Sequence, residues 1–294
     1  MPELPEVESV ARTLRTALSG RRLTGMRVRH AVCVEPSAAA VRRAVLGRTL
    51  DRVHRRGKYL VLTFGQGDPA PAHLMLHLRM TGQVLFEPAD RPDRHVHLVL
   101  DFAGAVQTPC RDARKFGRWT CDDAENPSAL DHAGPTCWEI RASQPGTGRL
   151  RRRRALPSPC CWTRGCRGGR TSTPTRPWFR ARIHPLRRPA DCSDAELRRV
   201  FDAVRGVLRL AVEHGGTTFL DFRDFHGQPG NFRRKLRVFQ RDGGALPGLR
   251  GRAMDHGRGG DAFLLGLPAL TRDGLVKSPI WMYFNGSFFR YQSH

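Results

Sequence analysis

The first eight residues, MPELPEVE, place a proline and several carboxylates where they could do covalent chemistry. If an aminopeptidase removes Met1, Pro2 becomes an N-terminal secondary amine, a nucleophile that no internal residue can supply. An α-amino group has a pKa near ~8, so part of it is unprotonated at neutral pH and can condense with an electrophilic sugar carbon. Glu3 would be the adjacent proton donor, and Glu6 belongs to the same acidic group. A structural role also remains open, because proline and acidic residues suit the first turn of a helix.

A helix must position this N-terminal group. Apolar residues recur at helical spacing from about residue 5 to residue 18, where SGRR ends the pattern. We expect the buried face of this helix to hold Pro2 above a sheet. Five later segments contain alternating or short apolar runs between Gly, Pro and Asp, and predict the strands of a β-sandwich: 23–34, 49–65, 73–86, 95–107 and 116–121.

The composition indicates a polyanionic partner. The 294 residues include 50 Lys plus Arg against 27 Asp plus Glu, a net charge of +23, and nucleic acid is the partner that fits best. An anionic membrane fits less well, because we find neither an apolar run of about 18 residues nor a basic amphipathic helix. The acidic start is unlike a signal peptide, and the eight cysteines show no pairing pattern, so we expect reduced thiols in the cytoplasm.

Six motifs then follow one another in a recognisable order. They are MPELPEVE, RRGKYL at 55–60, HLRMTG at 77–82, RDARKFG at 111–117, RARIHP at 180–185 and GGTTFLDF at 215–222. In this order they resemble a formamidopyrimidine-DNA glycosylase. The resemblance implies an α+β fold, with an N-terminal β-sandwich flanked by helices and a C-terminal helix-two-turn-helix DNA-binding domain. It also implies a base-excision repair enzyme that removes oxidised purines and cuts the strand at the abasic site.

The resemblance assigns a catalytic group to the N-terminal domain. It makes Pro2 the nucleophile, with Glu3 and Glu6 beside it, and makes Lys58 a lysine that contacts phosphate and donates a proton during strand cleavage. Without the resemblance, a lone lysine at the start of GKYLVLTF is typical of a solvated sheet edge.

Met80, Arg114 and Phe116 match family residues that replace the flipped nucleotide. An enzyme that extrudes a base must fill the gap and satisfy the partner base; Met and Phe are suitable wedges, and Arg can hydrogen-bond the orphan. Each residue alone would also suit a core or surface position. In this chain Ala113 and Lys115 stand where the family often has Pro and Arg, a mild departure.

The composition changes abruptly from residue 141 to residue 190. This window has 14 Arg, 7 Pro and no Lys, Asp or Glu, and Pro and Gly interrupt any helical or strand period. We interpret 136–178 as an aberrant Arg/Pro-rich segment whose reading frame has shifted. A DNA-binding arm and a disordered linker remain alternatives.

Similarity returns with a helix that begins at a capping box, Ser193-Asp194-Ala195-Glu196, and ends at Gly215-Gly216. We assign residues 179–243 to the remainder of the helix-two-turn-helix domain. Its last part carries a basic stripe suited to phosphates, Arg233, Arg234, Lys235 and Arg237.

The family's structural zinc finger should follow, and we predict that it is lost. No cysteine occurs after Cys192, and His256 with His294 cannot replace four thiolates. We therefore expect no cofactor in this chain, interpret 244–294 as a degenerate finger region and tail read past a lost stop codon, and give Arg258 no role. The strand-like segments carry four more histidines that we also assign to no metal, namely His73, His77, His95 and His97.

Two functional hypotheses follow. The first is an active glycosylase and abasic-site lyase, with residues 1–135 as its catalytic domain. The second is a catalytically impaired, DNA-binding remnant of the same family. For either we expect a monomer that binds double-stranded DNA with oxidised bases or abasic sites, near the nucleoid of a bacterial-type cytoplasm.

Overall fold

The computed structural model describes residues 2–65, 70–86, 93–122, 177, 180–183, 191–218 and 222–236, and the backbone of six short strands between residues 253 and 291. The chain divides into two compact units, Met1–Thr136 with Leu208–Lys235, and Cys137–Val207 with Leu236–His294. In the part of the chain that the structure describes, no helix is long and apolar enough to cross a bilayer.

Helix α1, Leu4–Leu18, opens the first unit and confirms the predicted N-terminal helix. Its apolar residues fall on one face and are at most 2% exposed: Val7, Val10, Ala11, Leu14 and Leu18. Burying each of the larger side chains contributes about 1.5–3 kcal/mol of hydrophobic free energy. This face fixes the position of the helix, and with it the position of Pro2 and Glu3.

Two sheets follow α1. Their strands are β1 Leu23–Val28, β2 Val34–Glu35, β3 Leu50–Arg56, β4 Tyr59–Phe64, β5 Ala72–His77, β6 Gln83–Val84, β7 Val96–Phe102, β8 Val106–Arg111 and β9 Arg118–Asp122. One sheet has the order β1-β7-β8-β6, and the other has the order β2-β9-β5-β4-β3. All pairs are antiparallel except β2 with β9. Residues of both sheets, of α1 and of helix α2, Ala38–Val45, share a single hydrophobic cluster.

The predicted strand segments overlap the observed strands, but four of the five contain residues of two strands, and β8 extends to Arg111, beyond the predicted end at 107. The segment 49–65 is a hairpin that turns at Gly57, where φ is +61°. The segment 23–34 ends as a strand at Val28 and continues as a 3-10 turn. Helix α2 was missed, although Ser37 caps it by accepting the Ala40 N–H at 3.1 Å, which a Ser before an Ala-rich run could have indicated.

Several loops of interest leave the five-stranded sheet at the same end. Tyr59 pairs with His77, and His77 pairs with Arg118. The turn with Lys58 precedes Tyr59, the HLRMTG loop follows His77, and the RDARKFG loop precedes Arg118. Register alone therefore brings three predicted functional loops to one edge.

Helix α3, Asp194–Glu213, confirms the predicted helix and its cap. Glu196 N–H donates to the Ser193 hydroxyl at 3.2 Å, and Ser193 N–H donates to the Glu196 carboxylate at 2.8 Å. In the second unit, the N-terminal part of the helix joins one cluster of buried residues, comprising Ala181, Ile183, Cys192, Leu197, Val200 and Ala203.

Six short strands form three antiparallel pairs near the C-terminus. They are β10 Ala253–Asp255 with β11 Ala262–Leu264, β12 Leu270–Thr271 with β13 Gly274–Leu275, and β14 Ile280–Phe284 with β15 Ser287–Tyr291. The predicted segment 136–178 lies outside the described residues except Pro177, and so do Arg237 and Arg258. The predicted boundaries 1–135, 179–243 and 244–294 stay predictions.

Candidate active site and DNA-contact loops

The N-terminal residues Pro2, Glu3 and Glu6 are all buried at the start of α1. The Glu6 carboxylate accepts the Glu3 N–H at 2.8 Å through Oε2 and the Thr217 N–H at 2.6 Å through Oε1. A carboxylate that accepts two backbone N–H groups fixes both partners in direction as well as in distance. Glu6 therefore joins the N-terminal backbone to the loop after α3, 211 residues away.

Burial raises the pKa of Glu6, while the N–H groups of Thr217 and Glu3 partly offset that effect. The backbone donors favour the charged carboxylate, and the loss of water opposes it. Such a group is better suited to holding structure than to exchanging protons with solvent. Whether Glu6 takes part in catalysis stays a prediction.

Gly216 explains how the loop after α3 comes so close. A Cβ at this position would lie 2.8 Å from Glu6 Cγ and 3.1 Å from Glu6 Cα, and the backbone φ is +81°. Gly230 packs in turn on Gly216, since a Cβ there would lie 2.3 Å from the Gly216 carbonyl oxygen. Only glycine fits either site without a shift of the backbone.

A partly buried ion pair ties the Lys58 turn to α1. Arg55 donates to the Glu8 carboxylate at 2.8 Å and to the Gly57 carbonyl at 2.9 Å, and its side chain is 7% exposed. Because Gly57 precedes Lys58, this arginine holds the turn beside the helix that carries Pro2. The structure thus attaches Lys58 and Pro2 to one framework.

His77 lies between the Lys58 turn and the loop with Met80. Its ring packs edge-on against Tyr59, with centroids 4.6 Å apart, and its Nδ1 accepts the Arg79 N–H at 3.0 Å. Burial lowers the pKa of His77 to about 4, and the nearby cations Arg79 and Lys58 add to the effect. The ring is therefore neutral at pH 7 and adds no charge to this cationic edge.

The RDARKFG loop is organised by the buried carboxylate of Asp112. Its Oδ2 accepts the Gly117 N–H at 2.6 Å, and its Oδ1 accepts the Arg114 N–H at 3.1 Å and the Thr81 hydroxyl at 2.5 Å. Arg114 and Phe116 are therefore held between two backbone contacts of one side chain. The Thr81 contact connects this loop to the one that carries Met80.

The three predicted wedge residues lie on these two loops. Met80 is 40% exposed and Phe116 is 46% exposed, high values for large apolar side chains. The Arg114 guanidinium lies 4.8 Å from the centre of the Phe116 ring, within cation–π range. Rigid loops that present exposed apolar tips suit insertion into a base stack.

The predicted basic stripe forms an exposed 3-10 turn, Phe232–Lys235. Phe232 is 2% exposed and anchors the turn, and its N–H donates to the Gly216 carbonyl at 3.1 Å. Arg233, Arg234 and Lys235 are all exposed. The loop that contacts Glu6 therefore also supports this cationic turn.

Sequence reasoning missed the residues that fix these loops: Arg55, Asp112, Thr217, Gly216 and Gly230. Gly-Gly at the end of a helix predicts a cap, and nothing local indicates that Glu6 packs on it. Two of the histidines that we assign to no metal form hydrogen bonds with neighbouring residues. His73 hydrogen-bonds Thr63 at 3.1 Å, and His97 hydrogen-bonds the Asp112 carbonyl at 2.8 Å.

Comparison with known proteins agrees with the resemblance. The family model for the formamidopyrimidine-DNA glycosylase N-terminal domain matches residues 1–119. The formamidopyrimidine-DNA glycosylase of Methylococcus capsulatus is 35% identical over 248 residues, 83% of this chain and 90% of that protein. The enzyme of Alkalilimnicola ehrlichii is 36% identical over 258 residues, 84% of this chain and 91% of that protein.

Solved structures give the same result. The MutM (Fpg) protein of Thermus thermophilus has a TM-score of 0.73 at 29% identity, covering 89% of this chain and 96% of that one. A Lactococcus lactis Fpg in complex with DNA containing an abasic site has a TM-score of 0.75 at 22% identity, covering 89% and 97%, and supports the fold alone. The relatives and the fold are those of a base-excision repair DNA glycosylase. The chain belongs to the formamidopyrimidine-DNA glycosylase family.

The zinc that the resemblance implies does not fit the available donors. A structural zinc takes four nitrogen or sulfur ligands, and after residue 243 the only histidine or cysteine residues are His256 and His294. The side chains of 244–294 lie outside the described part. Among the residues that the structure describes, no cluster of three or more His, Cys, Asp or Glu could hold a metal.

Proposed function

We propose that this protein removes oxidised purines, such as 8-oxoguanine and formamidopyrimidines, from double-stranded DNA and then cleaves the abasic site. The observation that carries the proposal is the buried Pro2-Glu3-Glu6 group at the start of α1, on the same framework as the Lys58 turn. The purine preference rests on the start MPELPEVE, because the oxidised-pyrimidine branch of the family commonly begins MPEGPE.

The chemistry requires the free amine of Pro2, and thus the loss of Met1. The nitrogen attacks C1′ of the flipped nucleotide, the bond from C1′ to the base breaks, and the base leaves with a proton. The amine then loses its own proton, and its lone pair breaks the C1′–O4′ bond as O4′ is protonated, which opens the sugar and leaves an iminium at C1′. The iminium makes the C2′ proton acidic; loss of that proton breaks the C3′–O bond, and a second elimination breaks the C5′–O bond. Glu3 transfers protons at the sugar, and Lys58 holds phosphate and donates a proton during strand cleavage.

Glu6 serves this chemistry by holding the nucleophile. Its contacts to Glu3 N–H and Thr217 N–H fix the backbone next to Pro2. A nucleophile held in place before the substrate arrives loses less entropy in the reaction.

The wedge residues and the cationic turn bind the DNA. Met80 and Phe116 fill the space left by the flipped nucleotide, and Arg114 hydrogen-bonds the partner base. Arg233, Arg234 and Lys235 neutralise phosphates without reading sequence. The proposed fold and state of the enzyme follow the same family resemblance. The two N-terminal sheets form the β-sandwich, and α3 belongs to the helix-two-turn-helix domain. The enzyme works as a monomer at the nucleoid.

A catalytically impaired DNA-binding protein is the second candidate. It is favoured by two sequence features, the Arg/Pro-rich segment 136–178 and the absence of cysteine after Cys192. Such a protein would keep the basic surface and bind duplex DNA without forming a covalent intermediate.

Borohydride trapping distinguishes the two candidates. The purified chain, with Met1 removal confirmed by mass, is incubated with a duplex that contains 8-oxoguanine or an abasic site. Borohydride reduces the iminium to a stable amine, so the active enzyme should give a covalent protein–DNA adduct. A folded protein that gives no adduct would support the impaired candidate.

Two variants test the nucleophile directly. A chain that retains Met1 should give no adduct, and Pro2→Gly, which leaves a primary amine, should give a reduced amount. Full activity with Met1 still attached would refute the role of Pro2.

A further inference from the structure

The two wedge loops are neighbouring crossings between the two sheets. Residues 78–82 connect β5 of the five-stranded sheet to β6 of the four-stranded sheet, and residues 112–117 connect β8 back to β9. Gln83 at the start of β6 pairs with Arg111 at the end of β8. The loops therefore leave adjacent positions of one sheet.

Next to that strand pair, the two loops are connected by side-chain hydrogen bonds instead of backbone pairing. The Thr81 hydroxyl donates to Asp112 Oδ1 at 2.5 Å and accepts the Arg114 N–H at 3.3 Å. Asp112 is 7% exposed, while Met80 is 40% exposed. The buried Asp112 carboxylate thus supports the loops that carry the exposed apolar side chains of Met80 and Phe116.

The backbone of Asp112 is also held, by contacts with the segment that contains His95 and His97. Its N–H donates to the His95 carbonyl at 2.8 Å, and its carbonyl oxygen lies 2.8 Å from His97 Nε2. Lys115, in the same loop, has φ of +57°, a conformation that non-glycine residues adopt rarely without support. Asp112 supplies that support by accepting N–H groups on both sides of it.

We propose that Asp112 and Thr81 are positioning residues that lock the Met80 loop and the Arg114–Phe116 loop into one rigid wedge, and that nucleotide flipping requires this lock. The inference rests on the proposed function, because a wedge matters only to an enzyme that extrudes its target from the duplex. Loops that moved independently would have to be ordered at the moment of insertion, and that entropy cost would lower the rate of flipping.

Thr81→Val and Thr81→Ser form the matched pair for the test. Valine keeps the shape and removes the hydroxyl, whereas serine keeps the hydroxyl. Two substrates are used, a duplex with 8-oxoguanine, which needs flipping, and a single strand with an abasic site, which does not. Thr81→Val should slow excision from the duplex by about tenfold while trapping on the single strand stays within about twofold of the parent; Thr81→Ser should resemble the parent on both.

Three results would overturn the proposal. One is equal activity of the valine and serine variants on the duplex. Another is an equal loss on both substrates. The third is additivity of Met80→Ala and Arg114→Ala in the parent protein, because residues of one locked unit should show coupling that Thr81→Val removes.

A binding measurement separates this proposal from the proposed function. A duplex carries a stable abasic-site analogue and 2-aminopurine beside it, whose fluorescence rises when the stack opens. If the parent fails to trap an abasic site, the proposed glycosylase and lyase activity fails, but a fluorescence rise that Thr81→Val reduces and Thr81→Ser restores still supports the lock. No rise with the parent protein would overturn it.

Discussion

The proposed catalytic end, Pro2 and Glu3, and the proposed wedge residues Met80, Arg114 and Phe116 are each supported by a buried carboxylate but differ in exposure. Glu6 and Asp112 are both buried carboxylates that accept backbone N–H groups. Yet Pro2 and Glu3 beside Glu6 are buried, whereas Met80 and Phe116 beside Asp112 are strongly exposed. Covalent chemistry benefits from a fixed, water-poor site, while insertion into DNA needs apolar tips in solvent on a fixed base.

Glu6 and Asp112 also differ in how far apart in sequence the segments that they connect are. Glu6 connects segments 211 residues apart, so the catalytic end depends on the loop after α3. Asp112 connects loops only 31 residues apart. Damage to the later part of the chain should therefore affect the catalytic end before it affects the wedge.

The largest loss of stability should come from adding a side-chain atom between Gly216 and Glu6. Gly216→Ala adds a Cβ 2.8 Å from Glu6 Cγ at a φ of +81°, and should cost about 2–4 kcal/mol of stability through steric overlap and left-handed strain. Urea unfolding measures this loss. We expect a parallel loss of borohydride trapping.

Gly20→Ala is the matched control, because Gly20 has φ of +80° and nothing within 4 Å of its would-be Cβ. It should cost only the backbone strain, about 1 kcal/mol. Equal losses for the two variants would show that the contact with Glu6 is unimportant.

A smaller effect is expected at the wedge. Arg114→Ala should weaken binding to a duplex containing 8-oxoguanine by about tenfold, and binding to undamaged duplex by about twofold. Fluorescence anisotropy at fixed salt measures both. The reason is that a contact to the orphan base exists only when a nucleotide is flipped.

Arg27→Ala removes the same charge from β1, where Arg27 pairs with Asp101 and is 51% exposed. It controls for the loss of one positive charge. If Arg114→Ala weakened both duplexes equally, Arg114 would be a phosphate contact alone.

The last effect is confined to acidic pH and concerns the sheet edge that joins the two regions. The pKa of His77 is about 4 in the folded protein, against an ordinary value near ~6.5. Between these values the unfolded chain binds a proton that the folded chain does not, so stability should fall as the pH drops from about 6.5 to about 4. NMR titration of the ring gives the pKa, and urea midpoints at several pH values give the slope.

His77→Gln should reduce this slope without removing it, since burial also lowers the pKa of His54 to about 4. A titration midpoint of His77 near its ordinary value would contradict the burial of this ring beside Lys58 and Arg79.

Much of the local structure could be predicted from the sequence. The apolar spacing of residues 5–18 predicts α1, which spans Leu4–Leu18, and the capping box at Ser193 predicts the start of α3. Hairpin turns were harder to place, because GKYL reads as a continuation of the strand before it. Gly57 becomes a turn only when β3 and β4 pair.

The sequence by itself determined the family and pointed to the candidate nucleophile and the candidate wedge residues, because those depend on residue type and order along the chain. Only the tertiary structure decided what holds them. The contact between Glu6 and Thr217, the approach of Gly216 and the Thr81–Asp112 connection each join segments that are distant in sequence. Such contacts follow from packing between elements, where close approach and burial set the outcome, and no local pattern of residues records them.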